Sequence, residues 1–220
     1  MTGTNHHHSS LVGDVPLELL MAQLAQRRPI FHSEADFQFA LAQMLAELEP
    51  AAHCRLEVPQ PRSGRGREHL DLLVRGPDGA ATAVELKYFT RAWAGVVDDE
   101  TFALRDHAAT DLARLHYVHD IGRLERFAAT SGVAGVAIML TNEPRLWDPS
   151  GQGRGNDVAF RIHEGQVLSG LLEWGNGYKP NRRQLSGRYL LSWHDFSLID
   201  PRSRGGRLRW TAALVPAPGR

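Results

Sequence analysis

The sequence predicts a mixed α/β fold, and three observations indicate this class. Helical and strand-like segments alternate along the first two thirds of the chain. Residues 133–140 form an uninterrupted apolar run, which is typical of a strand covered on both sides. The turn sequence Pro77-Asp78-Gly79 separates two apolar segments and indicates an antiparallel hairpin. Together these features predict helices packed on a sheet rather than a helical bundle or a sandwich.

Periodicity and capping residues predict the elements of the N-terminal part. A disordered or tag-like tail is predicted over 1–15. It precedes a helix over 16–26, which has apolar residues at helical spacing. A second helix begins after Ser33, an N-cap followed three positions later by an acid, and ends at Pro50. The segments that follow are predicted as strands over 53–58, 69–76 and 80–89, a helix over 101–127 and a strand over 133–140.

The last third of the chain is predicted to be β-rich. Turns containing Gly and Pro separate strand candidates over 157–163, 166–174, 188–193 and 207–212. We therefore expect an α/β core over 16–145 and a β-rich extension over 146–220, packed on the same domain. From Lys179 onward the extension carries nine basic and two acidic residues, which suits either phosphate contacts or solvated loops.

The composition is that of a folded protein without a strong overall charge. The chain has 220 residues, a formal net charge of zero, 42% hydrophobic residues and one cysteine, Cys54. An intramolecular disulfide therefore cannot form, and no apolar run approaches the roughly 20 residues of a membrane span. We expect a cytoplasmic protein without a membrane partner. Residues 1–10 contain three consecutive histidines, which are typical of an added tag and do not by themselves predict a metal site.

The hairpin turn fixes which residues of its two strands lie opposite each other. Residues 77–79 suit a type I turn followed by a left-handed glycine, the common three-residue hairpin loop with a bulge. This loop places Asp71 opposite Glu85. Because side chains alternate along a strand, Asp71, Glu85 and Lys87 are predicted to share one face.

Two facing carboxylates on largely apolar strands are unfavourable unless a cation lies between them. Asp71 and Glu85 would suit Mg²⁺, or Mn²⁺ as an alternative, together with a backbone carbonyl, water and phosphate oxygens. Lys87 would orient an attacking water or stabilise developing charge. The alternative is a solvated edge hairpin in which Lys87 only neutralises Glu85. Glu34 continues the apolar stripe of the second helix, and it either joins this cluster or is an ordinary first-turn acid.

These residues resemble the motif of the PD-(D/E)xK nuclease superfamily, which has the restriction-endonuclease-like fold. In that pattern a helix bears a Glu, one strand an Asp and the next strand Glu-x-Lys, as in Glu34, Asp71 and Glu85-Leu86-Lys87. The resemblance implies a core of helix, three-strand antiparallel meander, helix and strand. It further implies Mg²⁺-dependent hydrolysis of phosphodiester bonds, most readily in DNA. Asp71, Glu85 and Glu34 would then hold the metal, and Lys87 would assist the nucleophile.

The resemblance covers about residues 30–142, with Leu70 where the name of the motif has proline. Other basic residues flank the hairpin and are predicted to contact phosphates: Arg62, Arg65, Arg67 and Arg91. Asp120 and Arg123 suit either a contact to the site or a surface ion pair.

A non-catalytic nucleic-acid-binding or regulatory module on the same fold is the main alternative function. DNA is expected as partner ahead of RNA. A homodimer is expected if both strands of a duplex are cut together, because that reaction needs two sites.

Overall fold

A six-stranded mixed sheet forms the centre of the fold in the computed structural model, which describes residues 11–60, 68–150 and 155–219. The helices are α1 (Leu17–Arg27), α2 (Glu34–Leu48), α3 (Thr110–Ser131) and α4 (Pro144–Trp147). The strands are β1 (Leu11–Val12), β2 (Val15–Pro16), β3 (His53–Gln60), β4 (Glu68–Arg75), β5 (Ala81–Phe89), β6 (Trp93–Val97), β7 (Glu100–Leu104), β8 (Ala134–Thr141), β9 (Val167–Leu172), β10 (Arg183–Leu190), β11 (Trp193–Leu198) and β12 (Arg207–Val215).

The central sheet has the strand order β11-β12-β8-β5-β4-β3. β5 and β8 run parallel, and the other neighbouring strands run antiparallel. α1 and α2 cover one face of the sheet and α3 covers the other, so an apolar core lies on each side. The predicted mixed α/β class is confirmed. β9 and β10 form a separate antiparallel pair in the same core as α3.

The β4–β5 hairpin has the predicted turn and register. The Gly76 N–H donates to the Ala80 carbonyl at 2.8 Å, and Gly79 has a φ of 77°, the left-handed conformation that the turn requires. The paired residues run from Arg75 with Ala81, next to the turn, to Leu72 with Val84, as the turn type predicts. The local chemistry of three residues therefore sets the register of the two strands that carry Asp71, Glu85 and Lys87.

β8 is buried along almost its whole length because both of its faces are covered. Val136, Ile138 and Leu140 pack in the core with α1 and α2, whereas Ala137 and Met139 pack in the core with α3. This explains the continuous apolar run in the sequence. Since α3 connects the antiparallel part of the sheet to β8, it crosses the sheet beside the parallel pair β5–β8.

The start of α2 is fixed by two polar interactions. The Ser33 hydroxyl accepts from the Asp36 backbone N–H at 3.2 Å, which confirms the predicted N-cap. Arg28 donates to both carboxylate oxygens of Asp36, at 2.8 and 3.0 Å. Glu34 is therefore the first residue of a helix whose N-terminus is held in place.

The prediction of a helix over 101–127 is wrong at its start. β6 and β7 form a hairpin instead, and its turn residues Asp98 and Asp99 have φ values of 49° and 66°. Phe102 and Leu104 are buried while Ala103 is exposed, which is strand alternation. The apolar spacing across this segment fits a helix as well, because Leu104 precedes further apolar residues of α3 at helical intervals.

The prediction of a strand over 157–163 is also wrong. Val158–Phe160 forms a 3₁₀ turn, and the segment contributes Phe160 and Ile162 to the core with α3. Asp157 interacts with two guanidinium groups instead of joining a ladder, those of Arg114 at 2.5 Å and Arg161 at 3.1 Å. β11 and β12 from the C-terminal third extend the central sheet beyond β8. No helix in the described parts of the chain combines the length and apolarity needed to cross a membrane.

Candidate functional site

β4 and β5 separate at Asp71, and this opens one edge of β5. The paired residues of the hairpin end at Leu72 and Val84, whereas β5 continues to Phe89. Beyond Val84, the backbone N–H groups of β5 that point towards β4 have no β4 backbone group to pair with. The Leu86 N–H donates to Asp71 Oδ2 at 2.6 Å, and the Tyr88 N–H donates to Glu34 Oε2 at 2.9 Å.

Two carboxylates therefore stand in place of a strand along β5, and each satisfies a backbone donor. Gln38 of α2 donates to the Asp71 carbonyl at 2.6 Å and ties the bend of β4 to the helix that carries Glu34. The sequence motif does not reveal this arrangement, because it depends on where β4 leaves the sheet.

Glu85 lies beneath the opened edge, on the face of the sheet that α3 covers. The residue is 1% exposed and interacts with Arg123 of α3 through Oε2. Arg123 also lies 3.0 Å from Asp120 Oδ1, one turn earlier on the same helix. A buried carboxylate of the sheet and a guanidinium of α3 thus form an internal ion pair.

Lys87 connects the sheet, α2 and α3. Its Nζ donates to the Leu86 carbonyl at 3.0 Å, lies 3.2 Å from Asp120 Oδ2 and lies 3.8 Å from Glu34 Oε1. The structure therefore brings the residues of one charged cluster together: Glu34, Asp71, Glu85, Lys87, Asp120 and Arg123.

Burial dominates the electrostatics of the cluster. Desolvation, reinforced by the charge of Asp71, raises the pKa of Glu85 to about 9, although the Arg123 guanidinium opposes this. Desolvation also raises the pKa of Asp120, with Lys87 opposing it. Burial lowers the pKa of Lys87, but the carboxylates of Asp120 and Glu34 outweigh it, and the pKa is raised above its ordinary value. Lys87 is therefore an ammonium cation at neutral pH.

The donors at the opened edge are of the kind that Mg²⁺ prefers. Asp71 and Glu85 supply carboxylates, and Leu86 supplies a backbone carbonyl. Glu85 Oε1 is buried and has no hydrogen-bond partner among the described residues. Across the described ranges, three or more His, Cys, Asp or Glu side chains do not converge as a preformed metal cage. These donor types fit Mg²⁺. Arg123 contacts Glu85, which is one of the two carboxylates that would bind the ion.

Asp120 and Arg123 belong to the cluster, although the sequence left their role open. Asp120 falls on the buried stripe of α3 between Tyr117, Ile121 and Leu124. An acid at an apolar position of a helix needs a buried cation as a partner. The position of Asp120 on the apolar stripe is therefore the sequence signal that distinguishes a buried ion pair from a surface one. The i,i+3 spacing alone does not carry that information.

Among the arginines predicted to contact phosphates, the structure describes Arg91. Arg62, Arg65 and Arg67 fall outside the described residues. Arg91 lies 3.6 Å from the buried carboxylate of Glu143, not against the charged cluster. The Asn142 side chain donates to the Arg91 and Gly205 carbonyls, so it organises a turn.

Comparisons of this chain with protein-family models, curated proteins and solved structures found no match. The interpretation of the site therefore depends on the chemistry and geometry of its own residues.

Proposed function

We propose that this protein is a metal-dependent nuclease that hydrolyses phosphodiester bonds, with DNA as its main substrate. The observation that carries the proposal is the meeting of Glu34, Asp71, Glu85 and Lys87 where β4 leaves β5. The four residues come from three elements, and α2 is distant in sequence from the β4–β5 hairpin. A hairpin of solvated charges would not need a carboxylate from α2, nor would it bury Glu85.

The order of elements supports a restriction-endonuclease-like core. α2 is followed by the meander β3–β4–β5, then by α3 and by β8, which is parallel to β5. We propose that this core over 16–145 performs the chemistry and that the extension over 146–220 supports it. β12 pairs with β8 and would keep the far side of the parallel pair rigid.

Asp71, Glu85 and the Leu86 carbonyl would hold Mg²⁺ or Mn²⁺, with Glu34 beside them. The bound metal would supply a water of lowered pKa and would withdraw charge from the phosphate. Glu85 keeps an unsatisfied oxygen that such an ion would satisfy. The hydrogen bonds from β5 to Asp71 and Glu34 hold these two carboxylates in fixed positions, whereas Glu85 would exchange its contact with Arg123 for the metal.

Lys87 would act as a fixed positive charge and hydrogen-bond donor. Because nearby carboxylates raise its pKa, it enters the reaction protonated and cannot accept the proton of the attacking water. It would donate to the water or to a phosphate oxygen and stabilise the negative charge that develops there.

Local basic groups would contact the substrate backbone because the chain has no net charge. Arg91 and the arginines of the β3–β4 connection remain the candidates from the sequence. A homodimer would allow both strands of a duplex to be cut together.

A second candidate is a non-catalytic nucleic-acid-binding module on the same fold. The contact of Arg123 with Glu85 favours it, because an internal guanidinium balances the buried carboxylate without any metal. In such a module the ion pair would be permanent and structural.

Cleavage assays separate the two candidates. Supercoiled, linear and single-stranded DNA and an RNA strand would be incubated with Mg²⁺, Mn²⁺ or EDTA. The chain has two lysines, so Lys179→Ala, an exposed change, is the matched control for Lys87→Ala. We expect metal-dependent cleavage by the parent and by Lys179→Ala, and a loss of about 100-fold or more in Lys87→Ala. Intact substrates throughout would refute the nuclease, and equal cleavage by both lysine variants would refute the assignment of the activity to this site.

A further inference from the structure

An apolar cleft opens directly beside the charged cluster. Its volume is about 290 Å³, and Glu34 and Lys87 form part of its rim. Phe89, Leu112 and Met139 line its interior. Leu112 is 43% exposed, so this helix residue presents apolar surface to the cleft instead of completing the core.

A polar cleft of about 580 Å³ meets the apolar one at Glu34, Tyr88 and His107. Thr90 and Arg105 belong to its lining. The two clefts thus give an apolar recess and a polar channel that join at the charged cluster. A ligand that fills both has one flat or apolar part and one polar part.

His107 is held rigidly at the junction. The backbone N–H of Thr90 donates to the ring atom Nδ1 of His107 at 3.0 Å. The backbone N–H of His107 donates to the Thr90 carbonyl at 2.9 Å. Since Nδ1 accepts this bond, the neutral ring carries its proton on Nε2. The Phe89 ring lies 5.3 Å from the His107 ring, at an angle of 38°. Fixed aromatic groups of this kind suit the faces and edges of a nucleobase.

We propose that the apolar cleft binds one unpaired base next to the phosphate that is cut, so that the enzyme acts on single-stranded or locally unpaired DNA. This inference depends on the nuclease proposal for the position of the phosphate. A recess of this size admits one flat group at a time, and the bases of an intact duplex are stacked and paired. A duplex would have to lose pairing at the site, which costs free energy that a single strand does not spend.

Binding of a fluorescent single-stranded oligonucleotide, measured in EDTA, tests the base cleft without any cleavage. Leu112→Ser removes one wall of the cleft. Leu19→Ser is the matched control, because Leu19 is 44% exposed on a helix that packs on the opposite face of the sheet. We expect Leu112→Ser to weaken binding about fivefold or more relative to Leu19→Ser, because a polar side chain replaces an apolar wall of the cleft. Equal binding by the two variants, or no measurable binding by the parent, would overturn the inference.

Cleavage of matched substrates distinguishes this inference from the proposal on which it rests. The parent is expected to cut a single strand at least about tenfold faster than the same sequence in a duplex. If both are cut at equal rates, the nuclease stands and the base cleft is refuted. If neither is cut in Mg²⁺ or Mn²⁺ but Leu112→Ser weakens binding selectively, the nuclease is refuted and the cleft is a binding site for unpaired bases.

Discussion

Removal of the Arg123 guanidinium is the perturbation that tests the charged cluster most directly. In Arg123→Ala, the buried Glu85 carboxylate loses the cation that contacts it. Removing one partner of a buried ion pair costs roughly 3–5 kcal/mol because a charge is left uncompensated. Arg123 is 23% exposed, and Glu85, whose pKa burial raises to about 9, can hold a proton once the guanidinium is gone, so we expect a loss of about 3 kcal/mol, the lower end of this range.

A loss of this size is measurable as a change in melting temperature. For a chain of this length, 1 kcal/mol corresponds to roughly 2–4 °C, so Arg123→Ala is expected to melt roughly 6–12 °C below the parent in EDTA. Because a divalent cation would take the place of the guanidinium, Mg²⁺ or Mn²⁺ is expected to raise the melting temperature more in the variant than in the parent.

Arg126→Ala supplies the matched control, one turn further along α3. Arg126 is 60% exposed and lies 3.5 Å from Glu68, so its removal should cost no more than about 1 kcal/mol. Mg²⁺ or Mn²⁺ should raise the melting temperature of Arg126→Ala by the same amount as that of the parent. A melting temperature of Arg123→Ala within about 2 °C of that of the parent, or equal stabilisation of the two arginine variants by the metal, would contradict this role of Arg123.

Three further predictions concern stability. Burial, chiefly, lowers the pKa of His119 to about 4. Below about pH 6.5 the unfolded chain therefore binds one more proton than the folded chain. Stability falls as pH drops from 6.5 towards 4. In thermal melts, His119→Gln should lose less stability over this pH range than the exposed His116→Gln. Ser33→Ala removes the cap of α2 and should cost about 1 kcal/mol in urea unfolding. Gly79→Ala forces a side chain into a left-handed turn and should cost about 1–2 kcal/mol, whereas Gly79→Asn should cost less in the same assay.

The sequence predicts the hairpin well because its determinants are local. The residues of the turn fix the register within a few positions, and the N-cap Ser33 fixes the start of α2 in the same way. The separation of β4 from β5 at Asp71 is not predictable by these means. It depends on Gln38 and Glu34 of α2, which approach from a different part of the chain.

The same distinction explains the errors. Leu104 fits both the buried side of β7 and a helical stripe leading into α3, and only the pairing with β6 decides between them. Asp157 lies at the start of an apparent strand, but its ion pairs with Arg114 and Arg161 place it at a turn. Sequence periodicity reports which residues are buried, and tertiary contacts determine the element that buries them.

The balance of charge in the cluster connects the structure to the choice between a nuclease and a binding module. Four acidic side chains face two cations, Lys87 and Arg123. Burial raises the pKa of Glu85 to about 9, so this acid holds a proton at neutral pH, and its ionisation would leave the acids two charges ahead of the cations. A divalent cation carries the charge that would close this gap, and its binding at Asp71 and Glu85 would free Arg123 for a phosphate oxygen. In a binding module the guanidinium remains the only counterion that Glu85 needs. Metal should then fail to offset the loss of Arg123, and this makes the two arginine variants of α3 a test of function as well as of stability.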